Sequence, residues 1–250
     1  MPNPFLAHGW ASSPERLCIA VLVTLGFAAL ACALRGVNRS GALGGGIACF
    51  LLLAGAGPVG FAALAALFSM TWGATRLGYR RKLALGLAER REGRNAGQVL
   101  ANLAVPALAS VVFSNTGNRT WLVVTVAALA EAATDTVASE IGQDRGPDAR
   151  LITTWKHVPA GTDGGVTMSG SVAGVVAALV IAGVATAGGA VPAGRLWIPV
   201  TAGFAGMLID SLLGATLQPG GWISNQGVNF LATLAAAALA YVLESLTNFP

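Results

Sequence analysis

Apolar blocks separated by short polar loops recur along the whole chain instead of gathering at one end. A helix needs about 20 apolar residues to cross the hydrocarbon of a bilayer, fewer where neighbours shield it. On that rule the pattern predicts spans at 17–34, 41–55, 58–74, 97–113, 120–142, 167–187, 197–217 and 227–247. The second and third are short, and the Gly-Ala-Gly-Pro run ending at Pro58 predicts either a tight turn between two helices or a kink in a re-entrant pair. The expected fold is all-α: a polytopic transmembrane bundle of about eight spans, forming one integral membrane domain over 1–250.

Composition agrees with that pattern. Of the 250 residues 54% are hydrophobic and 10% charged, against about 25% charged in soluble domains. The N-terminal segment lacks the basic stretch of a secretory signal. Gly and Ala dominate the helices, which lets backbones approach closely in lipid. Cys18, Cys32 and Cys49 fall inside apolar runs with neither zinc spacing nor an even count, and read as core thiols.

The net charge of +4 does not point to nucleic acid, because the basic residues sit in short loops between apolar runs. They report topology instead. The loop after the third span carries Arg76, Arg80, Arg81, Lys82, Arg90, Arg91 and Arg94, which the positive-inside rule makes cytoplasmic. Threading outwards puts Arg35, Arg39, Arg145, Arg150 and Lys156 on the same side, leaving Arg16, Arg119 and Arg195 opposite. Both termini are then expected outside a bacterial-type cytoplasmic membrane, with every motif-like loop facing the cytoplasm.

Candidate chemistry follows from polar residues that this apolar chain keeps. Glu131 and Asp135 are four apart and share a helix face, continued by Ser139, while Glu140 diverges. Glu131 and Glu140 are about 13 Å apart along the axis, too far to chelate one ion unaided. Charge at membrane depth is costly and normally marks a cavity or pathway, although pairing with a nearby Arg or Lys is the structural alternative. Asp210, in the seventh span, brings a second acidic helix end to the same side. Carboxylates from different helices suit Mg²⁺, which takes one or two protein carboxylates plus substrate phosphates.

Three further stretches are candidates for binding. The 143–166 loop mixes Arg150 and Lys156 with the turn Gly161-Thr162-Asp163-Gly164-Gly165, expected to open the next helix. There it reads as an anion site, or as a loop whose Asp163 caps the helix. Gln98 and Asn102 lie one turn apart after Arg94, and Gln218, Asn225, Gln226 and Asn229 cluster near the eighth span. Buried amides need partners, either another helix or a ligand. His157 reads as a structural loop histidine.

Taken together, the stretches at 74–103, 128–142, 150–170 and 210–218, followed by Asn-Gln-Gly-Val-Asn at 225–229, resemble in order and spacing an integral-membrane family catalogued as a domain of unknown function. The resemblance runs over roughly 40–245. The best-understood members of that family are plant chloroplast phytyl-phosphate kinases, and it is distantly similar to dolichol-kinase and CDP-diacylglycerol-synthase enzymes. Members commonly have Trp after the Asp-Thr pair, where this chain has Val137.

The resemblance implies phosphoryl transfer from a nucleoside triphosphate, CTP in the plant enzymes, to an isoprenyl monophosphate at the cytoplasmic face. Asp135, Glu140 and Asp210 would then hold Mg²⁺. Lys156, Arg150 and the 161–165 backbone would position phosphates, and Arg76, Lys82 and Arg94 would draw them in. Gln98, Asn102, Gln218, Asn225 and Asn229 would line the pocket, and a lipid-facing groove between Gly/Ala-lined helices would take the isoprenoid tail. The rival from another class is an ion- or proton-coupled transporter or lipid flippase using the same acids; a third is a non-catalytic scaffold. Oligomeric state has no signature in the sequence.

Overall fold

The computed structural model describes residues 11, 13–145 and 148–247. The extreme termini, for which an outside location is expected, lie beyond the described residues. Among those described are seven helices long and apolar enough to span a membrane: α1 (Pro14–Ala33), α2 (Arg39–Arg76), α4 (Ala96–Thr116), α5 (Thr120–Arg145), α6 (Met168–Ala187), α7 (Trp197–Thr216) and α8 (Asn225–Thr247). A short helix, α3 (Tyr79–Ala84), and a two-stranded antiparallel ribbon, β1 (Arg150–Leu151) with β2 (Gly165–Val166), occupy two of the loops. Neither was expected from the apolar pattern.

α2 resolves the uncertain region. Between Arg39 and Arg76 two helical legs meet at Gly57, which has φ 71° and ψ −164°, and the next residue is Pro58. That backbone region is essentially open only to glycine, and proline lacks the N–H that a first helical turn leaves unused. The chain reverses here. Gly41, near the start of α2, abuts the Arg94 carbonyl, while Trp72, near its end, donates to the Leu34 carbonyl in the adjoining 34–38 turn. Gly60 meets the Leu52 carbonyl oxygen so closely that a Cβ would lie 2.7 Å from it. The expected 41–55 and 58–74 spans are therefore the two legs of one hairpin, each rising about 27 Å, close to the roughly 30 Å thickness of the hydrocarbon.

α5 is the central post. It packs against α2, α4, α6, α7 and α8, and Leu122, Val123, Leu129, Ala130 and Ala133 are buried in the main core with Leu52, Ile181 and Ile198. Small residues permit the close approaches: a Cβ on Gly55 would lie 2.5 Å from the Ser110 carbonyl oxygen, and one on Gly203 would lie 3.0 Å from the Ala130 carbonyl carbon. α1 packs mainly on α2 and is otherwise open to lipid.

All motif-bearing loops meet at one end of the bundle. The Asn38 amide donates to the Arg94 carbonyl, Lys82 of α3 pairs with Glu140 of α5, and Gly164 lies against α7 at Ser211. At the opposite end Arg119 donates to the Gly189 carbonyl, and Arg195 pairs with Glu244. α1 begins and α8 ends at that opposite end.

Candidate functional site

At the motif end two cavities adjoin. One, of about 300 Å³, is polar and lies between α4, α5, α7, α8 and the 160–167 segment. Its wall includes Asp135, Glu140, Asp163 and Asp210 together with Arg94, Gln98, Asn102, Gln218, Asn225 and Asn229. The other, of about 340 Å³, is apolar and lies between α1, both legs of α2, and α4. Glu89, Arg94, Gln98, Asn102 and Thr136 belong to both walls.

The helices that carry these side chains are anchored locally. Asn95 caps α4 by accepting from the Gln98 amide, and the Gln98 carboxamide oxygen accepts from the Asn95 amide, a reciprocal capping box. The Gln98 Nε2 then donates to Glu89 at 3.2 Å, and Arg94 lies 3.7 Å from the same carboxylate. Asn102 donates to the Gln98 carbonyl, while its Oδ1 is buried with no protein partner. The shared wall is thus fixed by α4's first turn.

Asp135 of α5 and Asp210 of α7 bring their carboxyls within hydrogen-bonding reach of each other, with Arg94 close enough to act on Asp135. Asp210 Oδ2 is buried without a protein partner. Two facing carboxyls need a shared proton or a cation between them. The pair and its orphaned oxygen fit a hydrated divalent cation that takes its remaining ligands from water and phosphate. Among the described residues no group of three or more acidic, His or Cys side chains is arranged as a metal cage.

Glu140 is drawn elsewhere. Its Oε2 lies 2.5 Å from Lys82 Nζ, and its Oε1 accepts from Thr75 at 2.8 Å. Lys82 is fully buried and gives its two other donors to the Ala74 and Thr75 carbonyls at 3.0 Å. Three donors with three acceptors leave Lys82 nothing for an incoming phosphate. The pair ties α3 and the end of α2 to α5, and Glu140 also borders the polar cavity.

The 161–165 turn also sits differently from its expectation. It does not open α6: Thr167 is the N-cap, accepting from the Gly170 amide at 3.0 Å. Gly161 (φ 80°) and Gly164 (φ 75°) instead bend the chain back to β2, and a Cβ on Gly164 would lie 2.6 Å from the Ser211 carbonyl oxygen. The turn lines the polar cavity without a helix dipole behind it. Arg150 donates to the Trp155 carbonyl, and Lys156 is exposed nearby; neither is among the wall residues of either cavity. Arg76 borders the apolar cavity, over the Trp72 ring and donating to the Leu34 carbonyl.

Other wall residues had no distinctive sequence signal. Ser211, Ser171 and Gln143 line the polar cavity, but serines and glutamines near helix ends are too common to single out. Glu131 lies outside the cavity wall, buried against α8, where Thr233 donates to its Oε2 at 2.8 Å. Its Oε1 has no protein partner. Glycine at Gly206 makes room for it, since a Cβ there would lie 2.5 Å from the Glu131 Cγ.

Comparison with known proteins gives this arrangement a lineage. An uncharacterised membrane protein of Synechocystis is 32% identical over 191 residues, covering 74% of each chain. One from Methanocaldococcus jannaschii is 30% identical over 231 residues, covering 91% of this chain and 94% of its own. The chloroplastic protein VTE6 of Arabidopsis thaliana is 30% identical over 201 residues, 75% of this chain and 59% of that protein. No solved structure gives a significant match. The profile of the integral membrane protein family DUF92 matches residues 22–237, and the chain belongs to that family.

Proposed function

We propose that this protein is a membrane phosphotransferase that moves the terminal phosphoryl group of a nucleoside triphosphate, CTP by family resemblance, onto an isoprenyl monophosphate. The observation that carries the reading is the shared wall: an acidic polar chamber and an apolar chamber meet at Arg94, Gln98 and Asn102. A lipid monophosphate needs both environments, with its head beside the nucleotide and its tail out of water. Membership of DUF92, the family whose resemblance implies transfer to an isoprenyl monophosphate, supports the lipid side of the reading.

Asp135 and Asp210 are the residues that would hold Mg²⁺, which when bound supplies charge neutralisation for the phosphates. Arg94 would bind phosphate oxygens from the shared wall, and Gln98 and Asn102 would orient the acceptor head. The 161–165 turn with Gln218, Asn225 and Asn229 would enclose the nucleotide. An acceptor phosphate oxygen attacks the γ-phosphorus, the bond to the β–γ bridging oxygen breaks, and nucleoside diphosphate leaves; no proton need be removed from the acceptor. Catalysis of this kind is mainly positioning and charge stabilisation. The site would face the cytoplasm, by the distribution of basic loops.

The test is purified protein with Mg²⁺, a panel of nucleoside triphosphates and several isoprenyl monophosphates, read as isoprenyl diphosphate. No diphosphate with any pair defeats the proposal. The transporter reading draws on one observation, the incompletely partnered carboxyl of Glu131 deep in the bundle. It requires proton- or cation-driven flux in proteoliposomes that is lost in Glu131→Gln.

A further inference from the structure

We infer that the apolar cavity is the seat of the acceptor's hydrocarbon tail, and that Gly45 and Gly46 on the first leg of α2 set how much tail it admits. This deepens the phosphotransferase reading and rests on it for the identity of the head group. Consecutive glycines inside a helix weaken it relative to alanine, so their presence needs a cause. At Gly41, Gly55 and Gly60 of α2 the cause is contact, since each has a carbonyl oxygen where a Cβ would go, while Gly73 near the end of the second leg is open and borders neither cavity. Gly45 and Gly46 are different. A Cβ on Gly45 would meet only the Val99 side chain at 3.5 Å, and one on Gly46 only Ala28 and Thr24 at 3.8 Å, which are ordinary contacts. Helix packing does not demand glycine there. Both positions line the cavity, so the space that glycine leaves open is the cavity itself.

The remaining walls suit a hydrocarbon chain. Phe27 of α1 stands edge-on to Phe68, 5.4 Å between centroids, and Leu64, Leu67 and Leu103 close the sides. The rim has the opposite chemistry. Arg35, Arg76, Arg90, Arg91 and Arg94 border it against a single acid, Glu89. An apolar chamber beneath a cationic rim complements a chain that ends in a phosphate, and the rim's Arg94 also faces the polar chamber.

The experiment uses the full-length protein in detergent or nanodiscs and a farnesyl monophosphate carrying a diazirine in its tail, with adducts mapped by mass spectrometry. Adducts are expected on α1 near Phe27, on α2 near Gly45 and Phe68, and on α4 near Leu103. Farnesyl monophosphate should compete, and farnesol should compete at least tenfold less well. Gly46→Leu should reduce labelling by tenfold or more, and Gly46→Ala, which adds a single methyl to the same space, should reduce it by a smaller factor. Melting temperature and gel filtration verify that each variant is folded, and Gly45→Val takes the place of Gly46→Leu should the latter fail to fold. Adducts confined to α6, α7 or α8, full labelling in the folded bulky variant, or stronger competition by phosphatidic acid than by farnesyl monophosphate would each overturn the inference. Labelling as expected without diphosphate formation in the kinase assay supports the tail seat while defeating the kinase reading, so the two failures are distinguishable.

Discussion

Lys82 and Asp210 are both charged residues brought into an apolar bundle, and their surroundings assign them opposite tasks. Lys82 is matched donor for acceptor by Glu140 and two carbonyls, whereas Asp210 faces another acid and keeps an orphaned oxygen. Removing one partner of a buried ion pair strands the other, at a cost of about 3–5 kcal/mol. Lys82→Met should therefore lower the melting temperature sharply, and Lys82→Met with Glu140→Gln should recover most of the loss. Asp135→Asn and Asp210→Asn should instead retain the fold and lower turnover by about a hundredfold or more, on the order of 3 kcal/mol of transition-state stabilisation. Melting curves and diphosphate assays on the same preparations check both; an Asp210→Asn enzyme that stays fully active and Mg²⁺-dependent contradicts the metal role. The acids were legible in the sequence because charge is rare in this chain. Lys82 was not, since its partner lies 58 positions away and only the folded α3 turns the side chain inward from a run of otherwise solvated basic residues.

At the scale of elements, what was legible followed hydrophobic length, and what was hidden depended on backbone conformation. The long helices fall within a few residues of their expected spans because the bilayer dictates about 20 apolar residues regardless of partners. α3 and the β1–β2 ribbon have no such rule behind them: each is too short for periodicity to register, and each is held by contacts with distant helices. The reversal in α2 was half visible, as a proline after glycines, but the choice between turn and kink rests on Gly57 alone. At φ 71° and ψ −164°, Gly57→Ala introduces strain of about 1–3 kcal/mol or more, and the two legs should splay. The expected outcome is a lower melting temperature with faster proteolysis between the legs, while Gly46→Ala on the same helix has little effect. Gly164→Ala tests the other glycine-dependent element. A Cβ there meets the Ser211 carbonyl and the Ala215 side chain, so the turn should lift from α7 and Mg²⁺–nucleotide should no longer raise the melting temperature, although the helices remain intact.

For the whole molecule the parity of crossings decides which loops share a compartment. Seven long helices, counted as single passes, would put the start of α1 and the end of α8 on opposite sides. With α2 reversing at Gly57 the bundle has eight legs, the start of α1 and the end of α8 lie at one end of it, and the 77–95, 148–167 and 217–224 segments gather at the other. The functional reading depends on that gathering, because the acidic pair, Arg94 and the 161–165 turn form one wall only if α4 enters the bundle from the end where α5 and α7 leave it. The basic residues then predict the absolute orientation, twelve on the motif side against three. Single cysteines at Ala84, Thr154, Asn118 and Thr247, on a background with Cys18, Cys32 and Cys49 replaced by alanine, test parity and orientation together. In intact cells an impermeant maleimide should label Asn118→Cys and Thr247→Cys, and reach Ala84→Cys and Thr154→Cys only after permeabilisation. Labelling of all but Asn118→Cys and Thr247→Cys would keep the fold and invert the orientation, moving the site to the outer face, where no nucleoside triphosphate is supplied. Labelling that separates Thr154→Cys from Ala84→Cys would break the parity itself, and with it the wall that joins the two chambers.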